Sequence, residues 1–131
     1  MAAFSNYMED AITAWINGTA FPTPAPTNTF VQLYSQDPTD AGSATGALFT
    51  RVSYASGGWT RGTGGAGTLS NTNAITMQAS AGSAVTASHF AVFDASTGGN
   101  LLFYGALSAS KSIAIGDEVK FNALQLTLTV A

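Results

Sequence analysis

From Thr29 onward the apolar side chains recur at every second position, in short runs broken by Gly, Asp, Asn and Pro. A period of two turns alternate side chains to opposite faces of a strand, so this part of the chain is confined to sheets. Phe30, Gln32 and Tyr34 point one way and Val31 and Leu33 the other. Leu48, Thr50, Val52 and Tyr54 alternate with Phe49, Arg51 and Ser53. Ala74 to Met77, Val85 to Phe93, Leu101 to Leu107 and Val119 to Phe121 give further strands. The chain ends with Leu124, Leu126, Leu128 and Val130 alternating with Gln125, Thr127 and Thr129. Turn chemistry separates these runs at Asp37-Pro38-Thr39-Asp40, at residues 94–100 and at Gly116-Asp117. About seven strands so spaced predict a mainly β chain, an antiparallel sandwich or jelly-roll-like barrel.

Ahead of the strands one amphipathic helix is legible over about residues 6–17. Met8, Ala11, Ile12, Trp15 and Ile16 fall on one face. Asn6 with Glu9 three residues on resembles a capping box, Phe4 suits a staple, and Asn17-Gly18 is a natural stop. The expectation is that this face plugs the open end of the β-core, since amphipathic helices commonly pack on their own domain; docking on a neighbouring subunit is the alternative. Pro22, Pro24 and Pro26 then alternate, which makes residues 21–28 a stiff extended strap rather than a domain linker. The 131 residues are read as one domain, 1–131, with the β-part at 29–131.

Composition bears on the surface. Only 8% of the residues are charged, against roughly 25% in typical soluble domains. Low charge marks interface cores, so a subunit of an assembly is expected over a free monomer, with a homotrimer or other oligomer as its form. The basic residues are Arg51, Arg61, Lys111 and Lys120, and the net charge is −3. That leaves no basic footprint for nucleic acid. No run approaches the roughly 18 apolar residues of a membrane span, and the start of the chain has no basic n-region, so neither a membrane nor a signal peptide is expected. The chain contains no cysteine, which excludes disulfides and thiolate metal sites. The final strand carries no charge on its edge and invites pairing with a neighbour.

Catalytic patterns are weak. Gly62 to Gly67 fits G-x-G-x-x-G, but no hydrophobic strand leads into it and no helix follows, so it reads as a turning loop. His89 is the single histidine. Ser88 and Asp94 could complete a triad on paper, yet no nucleophile elbow accompanies them. Strict alternation places His89 on a face with Val85, Ala87, Ala91 and Phe93, as a hydrogen-bonded strand residue. Asp37 and Asp40 offer oxygens to a cation, but turn and capping roles account for such pairs far more often. Asn17-Gly18-Thr19 forms a glycosylation sequon, which matters only in a secreted protein. The chain is expected to be no enzyme and to hold no cofactor or metal. Trp15, Trp59, Arg61, Leu126 and Leu128 are the candidate interface residues, Trp and Arg being the types enriched at hot spots.

Several stretches occur together in a known family. Ser5-Asn-Tyr-Met-Glu9 opens the helix and Gly18-Thr-Ala-Phe21 closes it. Phe30-Val-Gln-Leu-Tyr34 leads into Asp37-Pro-Thr-Asp-Ala-Gly42. The run from His89 to Gly105 follows, with Asp94 to Leu107 its most specific part, and then Ile115-Gly-Asp-Glu-Val-Lys-Phe121. In this the chain resembles the small virion structural proteins of tailed phages, cyanophages included, often labelled tail, fibre or capsid decoration proteins. The resemblance spans nearly the whole chain; residues 43–72 depart from it and could carry a contact special to this phage. It implies a virion location, assembly in the host cytoplasm, and partners among copies of itself, the major capsid protein or other virion proteins. It brings no catalytic residues. Capsid decoration is the leading expectation, because the chain is short and has no coiled-coil or β-helix repeat for a fibre shaft. A neck, tail or fibre-base subunit is the second, and a module gripping host-surface glycan the third.

Overall fold

The computed structural model describes residues 2–77, 84–114 and 116–129. Ten strands and one α-helix follow in chain order. They are β1 (Ala3–Phe4), α1 (Asn6–Ile16), β2 (Asn28–Tyr34), β3 (Ala47–Ala55), β4 (Trp59–Arg61), β5 (Thr68–Asn71), β6 (Ile75–Met77), β7 (Val85–Phe93), β8 (Leu101–Ile113), β9 (Val119–Phe121) and β10 (Thr127–Thr129). The fold is mainly β, with about ten strands where the sequence suggested seven. The additional ones, β1, β4 and β5, have two to four residues, too short to display a period of two.

A five-stranded antiparallel sheet, ordered β1-β8-β7-β2-β3, forms one layer. A three-stranded sheet, β10-β5-β4, and a pair, β6-β9, form the other. Val31 and Leu33 of β2, Phe90 and Val92 of β7 and Phe103 of β8 share one core with Ile75, Met77, Val119, Phe121, Leu126 and Leu128 from the smaller sheets. The N-terminal segment stitches the layers together. Ala3 and Phe4 pair with Tyr104 and Phe103, while Ala2 bridges Leu128 in parallel. Gly105 makes this possible: a Cβ there would lie 2.6 Å from Ala2 Cα, closer than side chains tolerate.

Helix α1 begins at Asn6 as the sequence pattern suggested, but its cap lies one residue earlier than expected. Ser5, not Asn6, is the N-cap; its hydroxyl accepts from the Met8 N–H at 3.2 Å and donates to the Leu101 carbonyl. A fully buried serine thus ties the helix to β8 while satisfying one of the donors a helix start leaves open. The Asn6 N–H donates to the Asp40 carbonyl instead. At the other end Gly18 turns the chain with φ +88°. Ala11 is buried, Met8 and Ile12 half-buried, and Trp15 and Ile16 exposed. The helix therefore rests on its first half, and its last turn projects beyond the core it was expected to plug.

Bulges reset the alternation at three places. Opposite Gln32, β3 carries extra residues, Phe49 takes φ +61°, and Phe49 joins Leu48 and Val52 against the core. At Ser88 the β7 register shifts, so Val85 and Ala87 turn inward with Phe90. His89 keeps only Ala91 and Phe93 as face-mates, correcting the strict alternation. At Leu102 a third shift sends Leu101 outward. The final strand is shorter than expected. Leu124 is exposed with φ +66°, only Thr127–Thr129 is strand, and Val130 lies outside the described residues. Asn71, fully buried, holds this turn: its Nδ2 donates to the carbonyls of Asn73 and Asn122, and its Oδ1 accepts from the Leu126 N–H.

Candidate functional site

A concavity lies where α1, the proline strap and the smaller sheet meet, a groove of about 1040 Å³. Tyr7 and Met8 from the helix start and Phe21 to Pro26 from the strap make one wall. Trp59, Leu69, Phe103 and Leu128 face them. The strap stands off the body because alternating prolines keep it extended and remove the N–H groups a sheet would need. It is tied at two points, by the Tyr7 hydroxyl to Thr23 Oγ1 at 2.9 Å and by the Ser56 N–H to the Thr27 carbonyl at 3.1 Å. The Ser56 hydroxyl, on the groove wall, is buried without a hydrogen-bond partner among the described residues.

Trp59 belongs to the floor of the groove and to the core at once. It packs edge-on against Tyr54 and Phe103, with ring centroids 5.2 and 5.5 Å apart, and its indole N–H donates to Thr29 Oγ1 at 2.9 Å. Its neighbour Arg61 is exposed and lines the groove. Of the other candidate interface residues, Leu126 and Leu128 lie inside the chain's own core. β10 pairs with β5 on one side and Leu128 bridges Ala2 on the other, so at Leu128 the N-terminal segment occupies the final edge that the sequence left open. Trp15 is 61% exposed and Ile16 73%. The structure thus brings Trp59 and Arg61 together, places Trp15 on a separate projection, and withdraws the two leucines. Sequence reasoning did not find Tyr7, the strap or Ser56 as groove residues; the signal was the proline spacing at 22, 24 and 26.

The outer face of the large sheet is organised around Arg51. Its guanidinium stacks 3.5 Å above the Phe93 ring. Nη1 donates to the carbonyls of Ala95 and Gly98 at 2.8 Å each, and Nε to Gln32 Oε1 at 3.2 Å. Gln32 Nε2 in turn donates to the carbonyls of Leu48 and Phe49 at the β3 bulge. Burial lowers the pKa of Arg51, and the proximity of Tyr34 and Asp94 opposes that shift. Asp94 closes its loop by accepting from the Asn100 backbone N–H and side-chain amide at 2.7 and 2.9 Å. Its carboxylate is therefore committed to Asn100, while His89 Nδ1 shares a hydrogen bond with Ser88 at 2.8 Å.

The other polar motifs resolve into turns. Gly62 to Gly67 connects β4 to β5 as a hairpin, with the Gly62 N–H donating to the Thr68 carbonyl. Asp37 Oδ1 accepts from the Thr39 N–H at 2.8 Å, a turn role. Among the described residues no three His, Cys, Asp or Glu side chains come together as a metal site, and no helix is long and apolar enough to cross a membrane.

With this geometry in place, comparison with known protein families gives a match. The family described as podophage GP4 fiber I protein gp80 aligns with residues 3–129. The chain belongs to this family. It is thereby a phage virion structural protein, in a family described by a fibre protein, and a virion-associated location follows. No curated protein matches the chain. The match covers every described strand and the helix, so the strap and groove fall within the family domain.

Proposed function

We propose that the chain is a non-catalytic structural subunit seated at the base of a phage fibre, held in the virion by contacts with its own copies and with neighbouring virion proteins. The observation that carries this reading is the match to a fibre-protein family over residues 3–129. The domain's build agrees with a base rather than a shaft. Its described residues form a sandwich and contain no coiled coil or β-helix repeat, and its sparsely charged surface suits packing against protein. Few charges also mean that its attachment should depend weakly on salt, since exposed ion pairs are screened beyond about 8 Å at physiological ionic strength and apolar contacts are not.

Capsid decoration is the second reading, favoured by the 131-residue length and the 8% charge. Copy number separates the two. Quantitative mass spectrometry of purified virions should find on the order of a dozen copies per particle, as ring symmetry at the tail or neck dictates. Hundreds per particle, in fixed ratio to the major capsid protein, would replace the fibre-base reading with decoration.

A further inference from the structure

We infer that the groove beneath the proline strap receives the last turn of α1 from a second copy of this chain. The inference rests on the self-associating subunit proposed above and names the two surfaces that meet.

The first consideration is shape and polarity. One end of the molecule holds an apolar groove of about 1040 Å³ that this chain's own side chains leave unfilled. Another carries two large apolar side chains, Trp15 and Ile16, that are left mostly exposed. The chain cannot join its own halves. Met8 is part of the groove wall, and Trp15 lies seven residues further along the same rigid helix, about 10 Å away. Only another copy can present Trp15 to the groove.

The second consideration is the match of donors with acceptors. The last turn of α1 contains no basic residue. The Ile16 and Asn17 carbonyls accept no backbone hydrogen bond among the described residues, so this end carries the negative pole of the helix and open acceptors. The groove supplies what such an end lacks, the exposed guanidinium of Arg61, which is both a donor and a positive charge. Asp94 also borders the groove, but Asn100 holds its carboxylate.

Each copy offers one knob and one groove, so the contact is made either reciprocally across a two-fold axis or head-to-tail around a ring. That gives a distinctive test. Trp15→Ser removes the knob. Gly57→Phe fills the groove: Gly57 lines it, and a Cβ there meets nothing within 4 Å, so the fold accommodates the change. In sedimentation velocity the unaltered chain should form an oligomer. Each variant should weaken association by about 30-fold or more, as loss of an anchoring residue does. Each should sediment as a 13.3 kDa monomer with its melting temperature kept. Mixed one to one, the two variants should recover a species of twice that mass and no larger, because only one knob and one groove remain between them. Ile16→Ser and Gly57→Leu repeat the test should either first variant fold poorly. If the unaltered chain stays monomeric at high concentration, self-association and this inference fall together. If it assembles and the variants assemble equally well, or if the folded variants do not combine when mixed, the contact inferred here is wrong while self-association stands.

Discussion

The outer face of the large sheet and the groove beside the strap are built from similar residues and end in opposite states. Around Arg51 the polar groups are tied to one another: the guanidinium to Phe93, Gln32 and the carbonyls of Ala95 and Gly98, and Gln32 to the bulge carbonyls. Beside the strap, Ser56 keeps an unpartnered hydroxyl, the groove is unfilled, and Trp15 and Ile16 project into solvent. Satisfied networks hold one structure, whereas unsatisfied apolar surface is what a partner covers. The first region is internal architecture and the second is where this subunit has binding left to give.

The largest effect expected from that contrast lies at Arg51. Arg51→Ala removes three hydrogen bonds and the stacking on Phe93, and should destabilise the monomer by about 2–3 kcal/mol. Urea unfolding measures it, and a loss below about 0.5 kcal/mol would show the network to be incidental. Next is Gly105→Ala, which pushes a methyl group into the Ala2 backbone. Overpacking of this kind costs about 1–3 kcal/mol, and here it should also expose the N-terminal segment to protease. Unchanged protection of that segment would mean that β1 does not stitch the layers.

A smaller effect should come from pH. Burial pushes the phenols of Tyr34 and Tyr104 above their usual value. Arg51 opposes the shift at Tyr34, while Asp40, Asp37 and Glu9 add to it at Tyr104. The folded state then holds these protons at a pH where the unfolded chain releases them. Their contribution to stability is complete below about pH 10 and is lost as the pH rises through the higher folded pKa. Tyr104→Phe should flatten the alkaline slope of the melting temperature; an unaltered slope would assign it elsewhere. The smallest effect is expected at Trp15. Because its side chain is mostly exposed, Trp15→Ala should change monomer stability by no more than about 0.5 kcal/mol. A loss of about 3–5 kcal/mol, the cost of truncating a core aromatic, would restore the packed-helix reading.

Much of this molecule was legible before its structure. The alternation from Phe30 to Tyr34 and from Val119 to Phe121, the helix from Met8 to Ile16, and the turn residues at 37–40 and 94–100 are local properties, set by side-chain period and backbone preference within a few residues. They sufficed for a mainly β domain with one helix, and the resemblance they carry led to a phage virion protein. The sequence also contained the strap, since alternating prolines can neither enter a sheet nor fold back into a helix.

What needed the tertiary structure was the position of each face relative to distant segments. A bulge shifts parity by one residue, so Ala87 and His89 part company at Ser88, and Phe49 turns to the core. Ser5 caps the helix because Leu101, 96 residues away, accepts from the same hydroxyl. Leu126 and Leu128 are buried because the core shared by both layers lies against them, which the final strand alone does not show. Trp15 is exposed because the core ends before the helix does. Burial is a sum over contacts from every layer, and a local period states only which side chains share a face, not whether anything lies opposite.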